Sequence, residues 1–201
     1  MIWATFMTTC AAREKVREQT LSLLRSTDWG QEPELVIDEG QGKTIRQRIY
    51  YTHHRMLERA SKSDADVVLL LEDDLDFHIG LRAHVETWSV FASRTAHFFG
   101  SLYNPGMFDT VRVDDRTLCA QMVRKPWGAQ AIVMNQPTLR YILRFWNQAL
   151  FGYSGDLRMY ALAHKVTPVY FHCPSLVQHV GHTTWGGIAH RADDFRKEAA
   201  E

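Results

Sequence analysis

Three consecutive carboxylates, Glu72-Asp73-Asp74, close the apolar run Val67-Val68-Leu69-Leu70-Leu71. Adjacent acids repel one another and cost stability unless something positive joins them. Hard oxygen ligands of this kind suit Mg²⁺ or Mn²⁺, ions that bridge protein to phosphate. A generic acidic triplet is more often a solvated turn, or a set of capping acids ahead of the segment at Gly80; the strand that delivers this one argues for a site. A second carboxylate, Asp156, follows the glycine-flanked loop Phe151-Gly152-Tyr153-Ser154-Gly155, just before a helical stretch from Leu157 to His164. It could take a proton from a hydroxyl or cap the helix, and the two readings weigh evenly. From Lys43 to Arg59 stand Lys43, Arg46, Arg48, Arg55 and Arg59 against the single acid Glu58. Most of these read as solvated helix residues, with one or two, Arg46 among them, available to an anionic group; Lys125 and Arg191 are further candidates.

The elements that must position these groups follow from periodicity. Ile2 to Met7 reads as a buried strand, Thr8-Thr9 as a polar break, and Ala11 to Ser26 as a helix. Leu35-Val36-Ile37 is a second strand ending at Asp38, and Glu39 to Gly42 turns the chain into a long helix, about Thr44 to Lys62. Val67 to Leu71, apolar throughout, predicts a central parallel strand covered on both faces, so the acids stand at its C-terminal edge. Helical spacing recurs over Leu81, Val85, Trp88 and Phe91 or Ala92; His97-Phe98-Phe99 reads as a strand. Tyr103 to Lys125 suggests an antiparallel insertion, Gln130 to Met134 a strand, and Leu139 to Leu150 an amphipathic helix opening at Pro137. The sequence predicts an α/β domain whose first half is Rossmann-like and whose second half is mixed. Residues 1–190 are expected to form it, in two halves, 1–101 and 102–190; the charged piece 191–201 is expected to be a disordered tail.

At 201 residues and 45% hydrophobic, the chain can bury a sizeable core but not two large domains. Lys plus Arg and Asp plus Glu both total 23, so the global basic excess of a dedicated nucleic-acid binder is missing. Cys10, Cys119 and Cys173 are odd in number and lack CxxC spacing, against a disulfide framework or a zinc ribbon and in favour of a reducing compartment. No apolar run approaches the ~20 residues that span a bilayer.

The segment LLLEDDLDF resembles the strand and DxD-type motif of glycosyltransferases with the GT-A fold, a Rossmann-like single domain with a mixed, mostly parallel central sheet flanked by helices. The likeness extends along the chain in order. Thr8-Thr9 with Arg13 resembles the first donor-binding loop, and Asp38 stands where such enzymes contact the nucleoside. Trp127-Gly128-Ala129-Gln130-Ala131 resembles the segment lining the cleft between donor and acceptor, glycine allowing close backbone approach; an ordinary strand entry with a packed Trp weighs equally. The Gly-Asp loop resembles the one carrying the base of inverting members, which implies that role for Asp156. Pro174-Ser175-Leu176-Val177-Gln178-His179-Val180-Gly181 resembles a PSLxQHxG segment of several such families, including enzymes that extend N-glycan branches; Thr184 and Gly186 stand nearby where those families carry Ser and Gly.

The resemblance implies Asp74 and His179 as ligands of Mn²⁺ or Mg²⁺, with Glu72 and Asp73 near the ribose or supporting the metal's water shell. His182 and His190 read as ordinary polar residues. It implies a nucleotide-sugar donor, a UDP-sugar favoured, and a hexosyl- or N-acetylhexosaminyl-transfer to a glycan, a small molecule, a protein or, least favoured, a nucleic acid. The expected location is the cytosol, with a bacterial or viral origin favoured over the Golgi because a signal, anchor and stem are not evident. Two other classes share parts of this pattern. A sugar-phosphate nucleotidyltransferase would carry a glycine-rich basic loop where Thr8 to Arg13 has none. A carbohydrate-binding domain without turnover is the non-enzymatic alternative. Nothing in the sequence speaks to oligomeric state.

Overall fold

The computed structural model describes residues 1–92, 96–106, 109–121, 128–148, 155–181 and 190–198. Its frame is an eight-stranded sheet of β1 (Trp3–Thr9), β2 (Glu34–Ile37), β3 (Val67–Leu71), β5 (Phe99–Ser101), β6 (Thr110–Asp114), β7 (Thr117–Ala120), β8 (Ala131–Asn135) and β9 (Tyr170–His172). They lie in the order β2-β1-β3-β8-β5-β9-β7-β6. The pairings make β8 and β7 the two strands that run against the other six. The sheet is therefore mixed and mostly parallel, as the sequence predicts. A separate two-stranded ribbon pairs β4 (Leu75–Phe77) antiparallel with β10 (Val177–His179).

β3 shows why the sheet is covered on both faces. Its five residues are each at most 3% exposed. Val68 and Leu70 enter one core with Phe6, Met56, Leu57 and Leu139, while Val67, Leu69 and Leu71 enter the other with Met7, Leu21, Leu24 and Trp88. Alternation of side chains across the strand divides them, and each contributes roughly 1.5–3 kcal/mol by leaving water.

Helices α1 (Glu14–Arg25) and α2 (Ile45–Ser61) bury residues in opposite cores, so they lie on opposite faces of the sheet. The chain goes from β1 outward to β2, then crosses back over β1 to β3. Between β1 and β3 the connections diverge, and in open α/β sheets that divergence opens a crevice beyond the strands' carboxyl ends. α2 starts where Thr44 and Gln47 cap it reciprocally. Arg48 pairs with Asp38, Arg55 with Glu39, and Arg59 with Glu34, so three of the arginines read as solvated or phosphate-facing instead fasten α2 to β2 and the turn after it.

Helices α3 (Leu81–Glu86) and α4 (Ser89–Ala92) replace the continuous helix that the spacing suggests. The break falls at Thr87 and Trp88: Thr87 bonds back to the Ala83 carbonyl, and the Trp88 indole is fully buried, donating to Thr117. Gly100 gives that indole its place, since a Cβ there would lie 2.6 Å from the ring. The expected antiparallel insertion is the β6–β7 hairpin at the sheet edge. α5 (Gln136–Phe145) is capped by Asn135 and begins one residue ahead of the expected Pro137, and α6 (Gly155–Ala163) follows.

The expectation of a disordered tail is corrected over 190–198. Gln178 receives the Ala192 amide and donates to its carbonyl, Lys197 pairs with Asp76, and the Ile79 amide donates to Lys197. With Ala192 buried and Phe195 packed on the core, this stretch braces the β4–β10 ribbon despite its charge.

A chain of histidine rings links the ribbon to the sheet: His78 lies 4.6 Å from His84, and His84 5.8 Å from His172, between ring centroids. Burial lowers the His172 pKa to about 4, while its bond to the Pro174 carbonyl pulls the other way. The folded state thus binds a proton less readily than the unfolded chain, whose imidazole titrates near 6.5. Stability is intact above pH 6.5 and falls as pH drops from 6.5 towards 4, by up to about 3 kcal/mol from this group. Urea unfolding across that window should show the loss, and His172→Gln, which cannot titrate, should make it smaller, leaving the part that His78 and His84, also lowered by burial, contribute.

Candidate functional site

The ends of β1, β2 and β3 converge. Thr9 closes β1, and its carbonyl accepts the Asp38 amide at 2.7 Å. β3 ends at Leu71, opposite Ala131 of antiparallel β8, and the Glu72 amide donates to the Gln130 carbonyl at 3.0 Å. The loop after β1, the three acids and the segment after Gly128 therefore meet at one edge, beside the crevice between β1 and β3.

The acids are held, not splayed. Thr9 Oγ1 donates to Asp73 Oδ2 at 2.6 Å, and Arg13 reaches across both aspartates, Nε to Asp73 Oδ1 at 2.8 Å and a terminal nitrogen to Asp74 Oδ2 at 2.5 Å. Thr20 of α1 donates its hydroxyl to the Asp73 carbonyl and accepts the Leu75 amide, pinning the backbone on either side of Asp74. From the other direction β10 brings His179, whose Nε2 lies 3.2 Å from Asp74 Oδ2. Gly181 lies against the same carboxylate; a Cβ there would come within 2.1 Å of Asp74 Oδ2.

Electrostatics separates the three acids. Burial opposes ionisation of Asp74, but the hydrogen bond and charge of His179, then Arg13, outweigh it and hold its pKa below the ordinary value. For Asp73 burial wins over Thr9 and Arg13, and its pKa is raised. Burial, then the charges of Asp156, Asp74 and Asp73, put Glu72 well above the ordinary carboxylate range. Asp74 Oδ1 is buried and accepts no hydrogen bond among the described residues. A carboxylate oxygen sheltered from water with nothing donating to it, beside an imidazole nitrogen, fits a divalent-cation ligand set. The residues present are thus compatible with Mn²⁺ or Mg²⁺ at Asp74 and His179.

Across from the acids, Asp156 stands in the first turn of α6, where a negative charge is favoured by the helix dipole. Its Oδ2 accepts the Gly128 amide at 3.2 Å, so the carboxylate turns away from its own helix toward the start of β8. Gly128 has φ +94° and a Cβ there would collide with Gln130, so only glycine fits without strain. Tyr160, one turn on in α6, donates to the Gly128 carbonyl at 3.2 Å and locks this corner. His53 of α2 approaches Asp156 at 4.0 Å.

Other expected site residues are placed less centrally. Thr8 donates to the Leu71 carbonyl at 3.3 Å, joining β1 to β3 just before the acids. Asp38 is engaged by Arg48 and by the Gly40 amide. Arg46 lies exposed in the first turn of α2. Trp127, Lys125, the loop 151–154 and residues 182–189, including Thr184 and Gly186, lie outside the described residues. Thr20 and His53 were not among the expected site residues. His53 could have been found: it falls on the stripe Tyr50, His53, Leu57, Ala60, the core face of α2, where an imidazole is out of place.

The arrangement is that of an α/β domain with an acidic node at its sheet's switch point. No family model matches the chain, and no curated protein matches it. Among solved structures, A197 from STIV is similar over 90% of this chain and 87% of that one, at 13% identity and a TM-score of 0.55. The apo WbbM bifunctional glycosyltransferase aligns with 81% of this chain and 37% of its own, at 9% identity and a TM-score of 0.47. S. aureus TarS 1–349 in complex with UDP aligns with 85% of this chain and 57% of its own, at 11% identity and a TM-score of 0.49. The likeness to A197 is one of fold; the other two are too distant to add to it. No helix among the described residues is long and apolar enough to cross a membrane.

Arg13 supplies the positive charge that the acids need. Arg13→Ala leaves two buried carboxylates without it and should cost about 3 kcal/mol in urea unfolding at pH 7. Millimolar Mn²⁺ should raise the melting temperature of this variant more than that of the parent chain, because a cation can take over the missing charge.

Proposed function

We propose that the chain is a metal-dependent glycosyltransferase that moves a sugar from a nucleotide diphosphate, a UDP-sugar being favoured, to an acceptor hydroxyl with inversion. One observation carries this reading: an aspartate pair is fixed at the switch point with one buried oxygen of Asp74 unpartnered among the described residues and His179 alongside, while a separate carboxylate, Asp156, is held nearby by Gly128. Order along the chain supports it too, since the donor-like loop, EDD, the Gly128 segment, the Gly-Asp loop and QHVG follow one another as in the resembling family. The three described cysteines are free thiols, in keeping with a reducing, cytosolic setting.

In this reading Thr8, Thr9 and Arg13 form the donor's phosphate side, Asp38 the nucleoside side, and Glu72 and Asp73 face the ribose or back the metal ligands. Arg46 adds charge at the rim, and Trp127 with Gly128 bounds the sugar. Mn²⁺ or Mg²⁺ held by Asp74 and His179 would neutralise the departing diphosphate. Asp156 takes the proton of the acceptor hydroxyl, whose oxygen bonds to the anomeric carbon as the bond from that carbon to the diphosphate oxygen breaks on the opposite face. Residues 1–101 would then bind donor and 102–190 acceptor, and transfer would be of a hexosyl or N-acetylhexosaminyl unit.

A panel of UDP-, GDP- and TDP-sugars with Mn²⁺ tests the reading through binding, hydrolysis and transfer. At least one donor should be bound and turned over; no binding and no hydrolysis across the panel would contradict it. Asp156→Asn should keep donor binding and lose transfer by roughly 10²–10⁴-fold, the usual worth of a positioned base. Undiminished transfer would remove Asp156 from that role.

A further inference from the structure

His53 is a buried group that the proposed reaction leaves without a task. It is 3% exposed on the core stripe of α2, which it shares with Tyr50, Leu57 and Ala60. Its Nδ1 is buried and has no hydrogen-bond partner among the described residues. That nitrogen faces Asp156 Oδ1 at 4.0 Å, too far for a hydrogen bond. Gly155 makes the approach possible, because a Cβ there would lie 2.1 Å from His53 Nδ1. The second oxygen of Asp156 is committed to the Gly128 amide, which aims Oδ1 at the imidazole. Glu72 completes the group: ligand atoms of His53, Glu72 and Asp156 all lie within 4.8 Å of one another.

We propose that His53, Glu72 and Asp156 form a second divalent-cation site, separate from Asp74 and His179, suited to a borderline ion such as Zn²⁺. One imidazole and two carboxylates make a three-ligand protein set that leaves a coordination position open. Bonds of ~2.1 Å in a tetrahedral shell place donors ~3.4 Å apart, so the His53–Asp156 pair needs to close by less than about 1 Å. Burial keeps the imidazole uncharged, the form that ligates. The site does not depend on sugar transfer. If Asp156 is the base, a cation on Oδ1 occupies the oxygen that would take the proton, and Zn²⁺ therefore inhibits.

Calorimetric titration of the metal-stripped full chain with ZnCl₂ tests this in the Asp74→Asn background, where the other site is disabled. Zn²⁺ binding should persist there and weaken by about tenfold or more on adding His53→Ala, at least what loss of a supporting partner costs a metal site. Gly155→Ala should weaken it likewise by displacing the ring. Equal Zn²⁺ affinity with and without His53, or no Zn²⁺ binding in Asp74→Asn, would overturn the proposal. Where a substitution unfolds the chain, imidazole ¹⁵N resonances of the unaltered protein decide: a Zn²⁺-induced shift at His53 supports the site, and an unmoved resonance overturns it. Zn²⁺ binding that depends on His53, in a chain that transfers no sugar, would still bear out the site.

Discussion

The structure turns on the need to hold two buried aspartates together at the end of the central strand. Asp73 and Asp74 are each 5% exposed, and their charges are tolerable there only because Arg13 spans both and His179 meets the second. Removing ions from water costs several kcal/mol apiece and is offset only by close partners and full hydrogen bonding. Those partners come from distant parts of the chain: Arg13 precedes Asp73 by 60 positions and His179 follows Asp74 by 105. The ends of β1, β3 and β10 must therefore arrive together.

Satisfying that node also shapes what surrounds it. β4 and β10 are three residues each, and their pairing sets Leu75 opposite His179, which carries the imidazole to Asp74. The stretch 190–198 then packs on the ribbon and keeps it in place. On the other side, the glycine-only conformation at Gly128 presents an amide to Asp156, and Gly155 admits His53. Side chains that could do chemistry are thus positioned by backbone features that carry none. Asp74 Oδ1 and His53 Nδ1 are both left buried without a hydrogen bond among the described residues, an unfavourable state for stability and a common one where a ligand is to be bound.

How much of this the sequence reveals depends on the range of the interaction. The strand Val67–Leu71 and its terminal acids are legible because an apolar run buried on both faces is a local signal. The start of α2 is legible within a residue because Thr44 and Gln47 cap it. The α/β class follows from the alternation of such segments. The ribbon is not legible, since three-residue strands paired across a hundred positions leave no periodicity. The task of Arg13 as the acids' counter-charge is hidden for the same reason: the sequence shows an acidic cluster needing a cation but not that a guanidinium supplies part of it. Charge composition misleads at the C-terminal end, suggesting a free tail where Gln178 and Asp76 secure one, and it does not reveal that Asp38, Glu39 and Glu34 engage Arg48, Arg55 and Arg59.

The proposed function requires the acidic node to bind a nucleoside diphosphate through a divalent cation. Calorimetry of UDP, GDP and TDP binding, each with and without Mn²⁺, measures the coupling between the two ligands directly. The expected result is that one nucleotide binds well only when Mn²⁺ is present, that Mn²⁺ binds correspondingly better when the nucleotide is present, and that Asp74→Ala abolishes the coupling. Nucleotide affinity indifferent to Mn²⁺, or coupling that survives Asp74→Ala, would contradict it.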